Sequence, residues 1–219
     1  MLREIEGLDL LSANSYDFST AINLKKIIIG NKDYINTNTT EINNISNCKM
    51  LEYLNITNCQ AINNIDISNN KLVKQFIAKN ATGLTTLTLP EGGYLEELYL
   101  PPQLSSLTIK NNLNINKFEM GTYANDGKYE GLNVDNLNSL YVEGNMPGIP
   151  LVEILMKKKN QPDHIGDKLK GLRLVDVYLD TSLLINSDLP ESTSEEVEVK
   201  FAPIVEFMDF LLGEDLKGT

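Results

Sequence analysis

Between Ile42 and Val142 the chain repeats one short pattern of hydrophobic and polar positions. An aliphatic residue is followed by two variable residues, a second aliphatic residue, one variable residue and a third aliphatic residue, and then by Asn or another turn-forming residue. The clearest copies are LEYLNITNC from Leu51, INNIDISNN from Ile62, LTTLTLPEGG from Leu84, LEELYLPP from Leu95, LSSLTIKNN from Leu104 and LNSLYVEGN from Leu137. Short alternating apolar runs between turn residues predict β-strands rather than helices.

The spacing of the copies indicates that two of them make one structural repeat. Successive copies lie about 11 residues apart, which leaves room for one strand and one bend. Every second copy begins at Leu51, Leu72, Leu95, Ile115 and Leu137, at intervals of 21, 23, 20 and 22 residues. A period of about 22 residues is typical of leucine-rich repeats. We therefore predict a mainly β solenoid that is leucine-rich-repeat-like and has short C-terminal helices.

Asparagine recurs at equivalent positions after the predicted strands. Asn tolerates the left-handed backbone conformation, and its amide can satisfy backbone groups at a bend that has no strand partner. The positions are Asn58, Asn69, Asn80 and Asn111. Cys48 and Cys59 lie one 11-residue step apart, each directly after an Asn. We expect two buried structural thiols rather than a disulfide or metal pair, because no His or carboxylate cluster accompanies them.

The phrases LEYLNITNC, LTTLTLP and LSSLTIKNN resemble those of leucine-rich-repeat solenoids of an irregular, Asn-rich bacterial or phage type. The resemblance covers roughly residues 20–145. It departs from the family pattern at LVKQFIAKN, where Gln75 takes an aliphatic place, and in the longer segment from Gly121 to Gly131. A regular horseshoe is not expected at these two places.

A change of pattern at residues 147–151, where Pro and Gly cluster, divides the chain into two predicted units. Residues 1–146 form the leucine-rich-repeat-like β-solenoid, and residues 147–219 form a helix–strand–helix cap or linker region. The second unit contains a helix in LVEILMKKKNQ with a stripe of Leu151, Ile154 and Leu155, a strand in LKGLRLVDVYLD, an exposed acidic loop in LPESTSEEVE and a second helix in FAPIVEFMDFLLG. The run Lys157 to Lys159 is interpreted as the solvated end of the first helix.

The second unit also resembles the segment that follows such repeats in large tail-associated proteins of gut bacteriophages. The matching features are the short helix, the strand from Gly171 to Leu174, the acidic linker, the Leu-rich helix and the final stretch from Leu216 to Thr219. In those proteins the last stretch begins a further strand. The resemblance therefore implies that this chain continues in a longer protein.

Composition narrows the classes of partner. The net charge is −11 and the isoelectric point is about 4.6, which argues against nucleic acid and anionic membrane surfaces as partners. No apolar run approaches the length of a membrane span, so membrane insertion is not expected. No secretory signal peptide is visible at the start of the sequence.

The sequence contains no recognisable catalytic, cofactor-binding or metal-binding motif. The single histidine, His164, lies in a turn-rich link and has no partner nearby in sequence for a nucleophilic dyad. A polysaccharide-cleaving solenoid would need two carboxylates on one face. Asp66 is the only acid in a predicted outward row that otherwise holds Thr88, Thr108 and Asn133. We therefore expect a protein without enzymatic activity, cofactor or metal.

A predicted outward row of aromatic residues is the best candidate for a binding site. With a 22-residue period, Asn55, Phe76, Tyr99, Glu119 and Tyr141 stack on one face of the solenoid, flanked by Tyr53, Glu97 and Glu143. The candidate binding stripe is accordingly Tyr53, Phe76, Tyr99, Tyr141, Glu97, Glu119 and Glu143. Such a stripe suits contact with protein or carbohydrate. The alternative is ordinary cross-strand packing of surface aromatic side chains.

Three functions compete on these grounds. The favoured hypothesis is a structural or adhesive segment of a phage virion protein, associated with the tail, whose partners are virion subunits, a host-surface receptor or a surface glycan. The alternative is a protein-binding leucine-rich-repeat module on the bacterial cell surface. A carbohydrate-active solenoid enzyme is third, because Asp66 has no second acid beside it in the predicted row.

Overall fold

The computed structural model describes residues 2–8, 13–124, 126–159, 171–175 and 177 of the 219-residue chain. Short strands dominate these ranges. In chain order they are β1 (Glu4–Ile5), β2 (Ser15–Asp17), β3 (Lys26–Ile28), β4 (Glu41–Asn43), β5 (Tyr53–Asn55), β6 (Asn64–Asp66), β7 (Gln75–Ile77), β8 (Thr86–Thr88), β9 (Glu97–Leu100), β10 (Ser106–Lys110), β11 (Lys117–Tyr123), β12 (Tyr129–Leu132), β13 (Ser139–Glu143) and β14 (Gly171–Val175). The same ranges include a 3₁₀ helix (Ile45–Asn47) and the helix α1 (Leu151–Lys159).

The strands alternate between two sheets. The first sheet has the order β1-β3-β5-β7-β9-β11-β12, the second has the order β14-β13-β10-β8-β6, and β2 pairs separately with β4. Every pair is parallel except β11 with β12. In the first sheet Tyr53 pairs with Gln75 and Gln75 with Glu97, which places these neighbouring strands 22 residues apart. The prediction of a mainly β chain is confirmed.

One hydrophobic core joins the inner faces of the two sheets. Successive side chains of a strand point to opposite faces, so the middle residue of each three-residue strand alone faces inward. Leu54 and Leu98 of the first sheet, and Leu87 and Leu107 of the second, are at most 5% exposed. Full burial of one such side chain contributes about 1.5–3 kcal/mol. The three regularly spaced aliphatic residues of each copy therefore hold the two sheets together.

Buried asparagine amides connect successive bends, at Asn70 and Asn112, each one residue after a predicted position. The amide of Asn70 donates hydrogen bonds of 2.9 Å to the carbonyl oxygens of Ile45 and Cys48. The amide of Asn112 donates a bond of 2.8 Å to the carbonyl oxygen of Pro90. Both asparagines are completely buried. Their amides donate to buried carbonyl groups at the bends, of which those of Ile45 and Cys48 also accept a backbone amide bond.

Other asparagines adopt the left-handed backbone conformation. The prediction is confirmed at Asn58, Asn80 and Asn111, where φ is 59°, 54° and 52°. Asn44, with φ of 59°, belongs to the same set. Asn69 is exposed and lies outside the left-handed region, so the prediction is wrong there, and the buried amide comes one residue later.

The two cysteines have the structural position that was expected. Cys48 and Cys59 are both completely buried, and no disulfide joins them. Burial raises the pKa of the Cys48 thiol. A buried thiol that stays protonated is unreactive and behaves as a small apolar side chain.

The copy VKQFIAKN follows the repeat one residue later than predicted. Val73, Phe76 and Ala78 occupy its three inward places, and all are completely buried. Gln75 therefore lies on the outer face and does not replace an aliphatic residue. The prediction that Phe76 is displayed outward is wrong, because its ring fills the core between the inward leucines of β5 and β9.

The longer segment that interrupts the repeat forms a β-hairpin at the edge of the first sheet. Strand β11 continues to Tyr123, and β12 returns antiparallel to it, with Gly121 opposite Leu132. The two strands approach so closely that a Cβ atom on Gly121 would stand 2.0 Å from the carbonyl oxygen of Gly131. Glycine is required at this point of the hairpin.

The hairpin shifts every later copy of the repeat to the other sheet. Because β12 is an added strand of the first sheet, β13 joins the second sheet, where Tyr141 pairs with Thr108. Tyr141 and Glu143 therefore do not share a face with Tyr99, and this part of the predicted stripe is wrong. Asn133 follows β12, so it does not belong to the predicted row of small polar residues on the second sheet.

The described part of the second predicted unit continues the same core. Helix α1 starts directly after Pro150, and its predicted stripe is buried in the common cluster. The predicted strand is β14, which pairs in parallel with β13. The lysine run differs from the prediction: Lys157 is exposed, whereas Lys158 is fully buried and donates a hydrogen bond of 3.1 Å to the carbonyl oxygen of Asp135. His164, the acidic loop and the second helix lie outside the described residues.

Candidate binding surface

The outer face of the first sheet carries two aligned rows of side chains. Strand register places Tyr53, Gln75, Glu97 and Lys117 in one row, and Asn55, Ile77, Tyr99 and Glu119 in the other. Of the predicted stripe, the structure brings Tyr53, Tyr99, Glu97 and Glu119 together on this face. Phe76 lies beneath it in the core, and Tyr141 and Glu143 lie on the second sheet.

Tyr99 is enclosed by charged side chains. Lys79 and Lys117 place their Nζ atoms 4.5 Å and 5.0 Å from the centre of its ring. Its hydroxyl group donates a hydrogen bond of 2.5 Å to Oε2 of Glu97. The residue is only 5% exposed, and burial together with this bond raises the pKa of its phenol. Tyr99 is therefore occupied by contacts within the chain.

Glu119 joins the two lysines of this cluster. Its carboxylate oxygens each lie 3.7 Å from a lysine Nζ, one from Lys79 and one from Lys117. The side chain is 15% exposed, and Oε2 has no hydrogen-bond partner within the described ranges. The Nζ atom of Lys79 also lies 4.9 Å from the centre of the Tyr123 ring in the hairpin. These contacts tie the hairpin to the outer face of the sheet.

A matching cluster surrounds Tyr141 on the second sheet. Lys110 Nζ and Arg173 Cζ lie 5.0 Å and 4.7 Å from its ring centre. Its hydroxyl group donates a hydrogen bond of 2.5 Å to Oε2 of Glu143, whose Oε1 accepts a bond of 3.3 Å from Asn111. The bond from Tyr141 lowers the pKa of the Glu143 carboxyl group. Tyr99 and Tyr141 of the predicted stripe thus sit in two separate clusters, one on each sheet.

Ion pairs cover the side of the first sheet on which the strands begin. Lys25 bonds to Glu52 at 2.5 Å, and the other oxygen of Glu52 lies 3.9 Å from Lys74. The bond from Lys25 is the main cause that lowers the pKa of the Glu52 carboxyl group. Lys26 pairs with Glu6 at the N-terminal edge. The charges here largely compensate one another.

An open groove of about 550 Å³ lies on the other side of the same face. Its floor contains Ile28 and Ile77, which are half-buried, with Asn55 between them. The walls are the segment from Gly30 to Lys32 and the hairpin tip, Asp126–Gly127. The sequence pattern shows the longer segment that forms the hairpin, but it does not show that the hairpin tip borders a groove.

Gly30 allows the groove wall to approach the neighbouring strand. A Cβ atom at this position would stand 2.0 Å from the carbonyl oxygen of Thr57. The amide group of Thr57 in turn donates a 2.8 Å hydrogen bond to Oδ1 of Asn55, which fixes the Asn55 side chain on the groove floor. Lys79 closes the groove toward the Tyr99 cluster.

The described residues hold no group of three or more His, Cys, Asp or Glu side chains that could bind a metal ion. Asp66, the acid considered for glycan cleavage, accepts a hydrogen bond of 2.9 Å from the amide group of Ser68. It pairs in register with Thr88 of β8. This carboxylate therefore caps the turn that follows β6.

Within the described ranges, no helix has both the length and the apolar character needed to cross a membrane.

The chain matches no family model, no curated protein and no solved structure.

Proposed function

We propose that the chain is a leucine-rich-repeat-like β-solenoid that binds a partner protein and has no enzymatic activity. The groove on the first sheet is the observation that carries this proposal. It combines half-exposed aliphatic side chains on its floor with lysine and carboxylate side chains on its rim. An apolar centre with a polar, charged rim is typical of protein interfaces.

A protein is favoured over a glycan because the described residues that line the groove include no aromatic ring. Tyr99 and Tyr141, the aromatic side chains proposed from the pattern, already hold two cations and a carboxylate each. The two half-exposed isoleucines, Ile28 and Ile77, are suited to an aliphatic side chain of a protein segment.

The biological setting is proposed from the sequence resemblance. We place the chain in a phage virion, as a structural or adhesive segment of a tail-associated protein, with virion subunits or a host-surface receptor as partner. The second candidate is a protein-binding module on the bacterial cell surface, which the repeat pattern supports equally. Mass spectrometry of purified phage particles and of bacterial surface fractions distinguishes the two by where peptides of this chain are found.

Photocrosslinking tests the groove directly. A photoreactive amino acid replaces Ile77 in the full chain within its natural assembly, and a matched variant carries it at Thr88, an exposed position on the second sheet. We expect a protein adduct from position 77 and none from position 88. Equal adducts from both positions, or an adduct that only glycosidase treatment removes, would contradict the proposal.

A further inference from the structure

A row of exposed apolar side chains follows the bends that lead into the first sheet. Met50, Leu72 and Tyr94 each stand three residues before Tyr53, Gln75 and Glu97, which are paired in register on neighbouring strands. They therefore lie on adjacent bends. Met50 is 40% exposed, Tyr94 is 56% exposed, and Leu72 is half-buried. The next bend at each end of the row carries Ile22 or Leu113, whose side chains are 56% and 59% exposed. Each stands one residue further from the paired strand than the three members of the row do.

This row is separate from the groove. The groove borders the segments that leave the first sheet, whereas the row lies on the segments that enter it. Exposed apolar side chains scattered singly are ordinary, but a contiguous row marks an interaction site. The 22-residue period brings one apolar side chain to the surface at each of three consecutive bends.

The charge beside the row is positive, although the chain as a whole is acidic. Lys49 and Lys71 directly precede Met50 and Leu72, and neither lysine forms an ion pair within the described ranges. The carboxylate of Glu52, two residues after Met50, is already held by two other lysines. At the Tyr94 end of the row the neighbouring charges are negative, because Glu91 and Glu96 lie on either side of Tyr94 in sequence.

The spacing of the row fits one turn of an α-helix. Neighbouring strands are about 4.8 Å apart, so the row advances by that distance at each bend. A helix advances about 5.4 Å per turn and presents residues i, i+3/i+4 and i+7 on one side. Five bends span about 19 Å, the length of a helix of about 13 residues.

We propose that this row docks an amphipathic helix of a partner protein. The helix lies across the bends, places one aliphatic residue against each of Met50, Leu72 and Tyr94, and carries acidic residues over Lys49 and Lys71. The contact joins a helix to the bend surface, so it is independent of any strand or loop bound in the groove.

A synthetic peptide of about 14 residues tests the docking site. It carries Leu at every third or fourth position, Glu in one half and Gln in the other, and a control peptide has Lys in place of Glu. Fluorescence anisotropy with the full chain should show binding of the acidic peptide, and Leu72→Asp and Lys71→Glu should each weaken it about tenfold or more. Ile35→Asp, at a side chain 53% exposed on the opposite bend, should leave the affinity unchanged.

Four results would overturn the proposal. Three of them are equal binding of the acidic and basic peptides, equal binding by the Leu72→Asp and Ile35→Asp variants, and no peptide binding while the chain binds anionic vesicles of phosphatidylserine and phosphatidylcholine. The fourth result is a dimer of the full chain that Leu72→Asp dissociates, together with no peptide binding. The occupant of the row would then be a second copy of this chain and not a partner helix. Circular dichroism of each variant confirms that the sheets remain folded.

Discussion

The hydroxyl group of Tyr99 donates a hydrogen bond of 2.5 Å to the carboxylate of Glu97, two residues earlier in the same strand. Residues i and i+2 of a strand point to the same face, so this bond needs no change in the backbone. The same arrangement recurs in reverse order on the second sheet, where Tyr141 donates to Glu143. In both cases two cations lie against the ring. Lys110 and Arg173 belong to the strands on either side of Tyr141, whereas Tyr99 is contacted by Lys117 of β11 and by Lys79 of the bend after β7.

We expect the ring of Tyr99 to stabilise the chain more than its hydroxyl group does. Tyr99→Ala removes a nearly buried ring on which two lysines pack, and should lower the free energy of unfolding by about 3 kcal/mol. Tyr99→Phe keeps the ring and should cost about 1 kcal/mol, because Gln75 still donates to Glu97. Urea unfolding measures both values, and a loss of equal size in the two variants would contradict this account.

Asn70 and Asn69 allow a matched comparison of buried and exposed amides. Asn70→Ala removes two buried hydrogen bonds to the carbonyl groups of Ile45 and Cys48, which keep only the bonds from the backbone amide groups of Cys48 and Leu51, and should lower the free energy of unfolding by about 1–3 kcal/mol. Asn69→Ala removes the same chemical group from an exposed site and should change it by no more than about 0.5 kcal/mol. Chemical denaturation of the two variants checks the difference, and similar values would refute the capping role of Asn70.

Asn80 tests the left-handed bends. Its φ of 54° disfavours residues with a Cβ atom other than Asn and Asp, and glycine adopts this conformation without strain. Asn80→Ala should therefore lower the free energy of unfolding by about 1 kcal/mol, whereas Asn80→Gly should leave it nearly unchanged. If thermal unfolding shows that Ala is tolerated better than Gly, the bend does not impose the left-handed conformation in solution.

Because the phenol of Tyr123 is buried, we expect the folded chain to lose stability at alkaline pH. Its hydroxyl group is buried and has no hydrogen-bond partner among the residues that the structure describes. Burial, followed by the negative charge of Glu119, raises the pKa of its phenol far above the ordinary value of 10.0. Between the unfolded and the folded pKa, only the unfolded chain loses the proton. The stabilising contribution is therefore complete below about pH 10 and falls as the pH rises above it, by up to about 1.4 kcal/mol per pH unit.

Unfolding in urea at a series of pH values from about 8 to 11 measures this effect. Tyr123→Phe should show a shallower alkaline decline than the parent chain, because Phe has no proton to lose. Tyr34→Phe, at a ring 43% exposed, serves as the control and should follow the parent. Parallel curves for all three proteins would show that the Tyr123 phenol does not determine the decline.

The regular copies of the repeat allow correct prediction of strands, bends and core. Leu54, Leu87 and Leu107 are buried as expected because the three aliphatic places are unambiguous in their copies. In LVKQFIAKN the repeat pattern can be aligned in two ways. Leu72 and Ile77 are aliphatic and fit the pattern, but the buried core side chains are Val73, Phe76 and Ala78. The position of Asn80 resolves this ambiguity in favour of Phe76, because it matches Asn58 of the preceding strand.

The candidate surface was less predictable than the core. The length of the interrupting segment is visible in the sequence, but whether it forms a further turn of the repeat or a hairpin depends on the close approach of Gly121 to Gly131. That choice determines whether Tyr141 faces the same side as Tyr99. The groove depends on it as well, because one of its walls is the hairpin tip. Local periodicity contains no information about such long-range placement.

The short sequence offset between paired parallel strands has a consequence for assembly of the fold. The entropic cost of closing a loop grows only slowly with its length, and the parallel pairs of the two sheets have offsets of 20 to 33 residues at both ends of the chain. The entropic cost of adding a strand therefore does not rise with the distance of that strand from the first one. A longer chain of the same design can form by adding one strand pair at a time, and each pair extends both the groove face and the apolar row by about 4.8 Å.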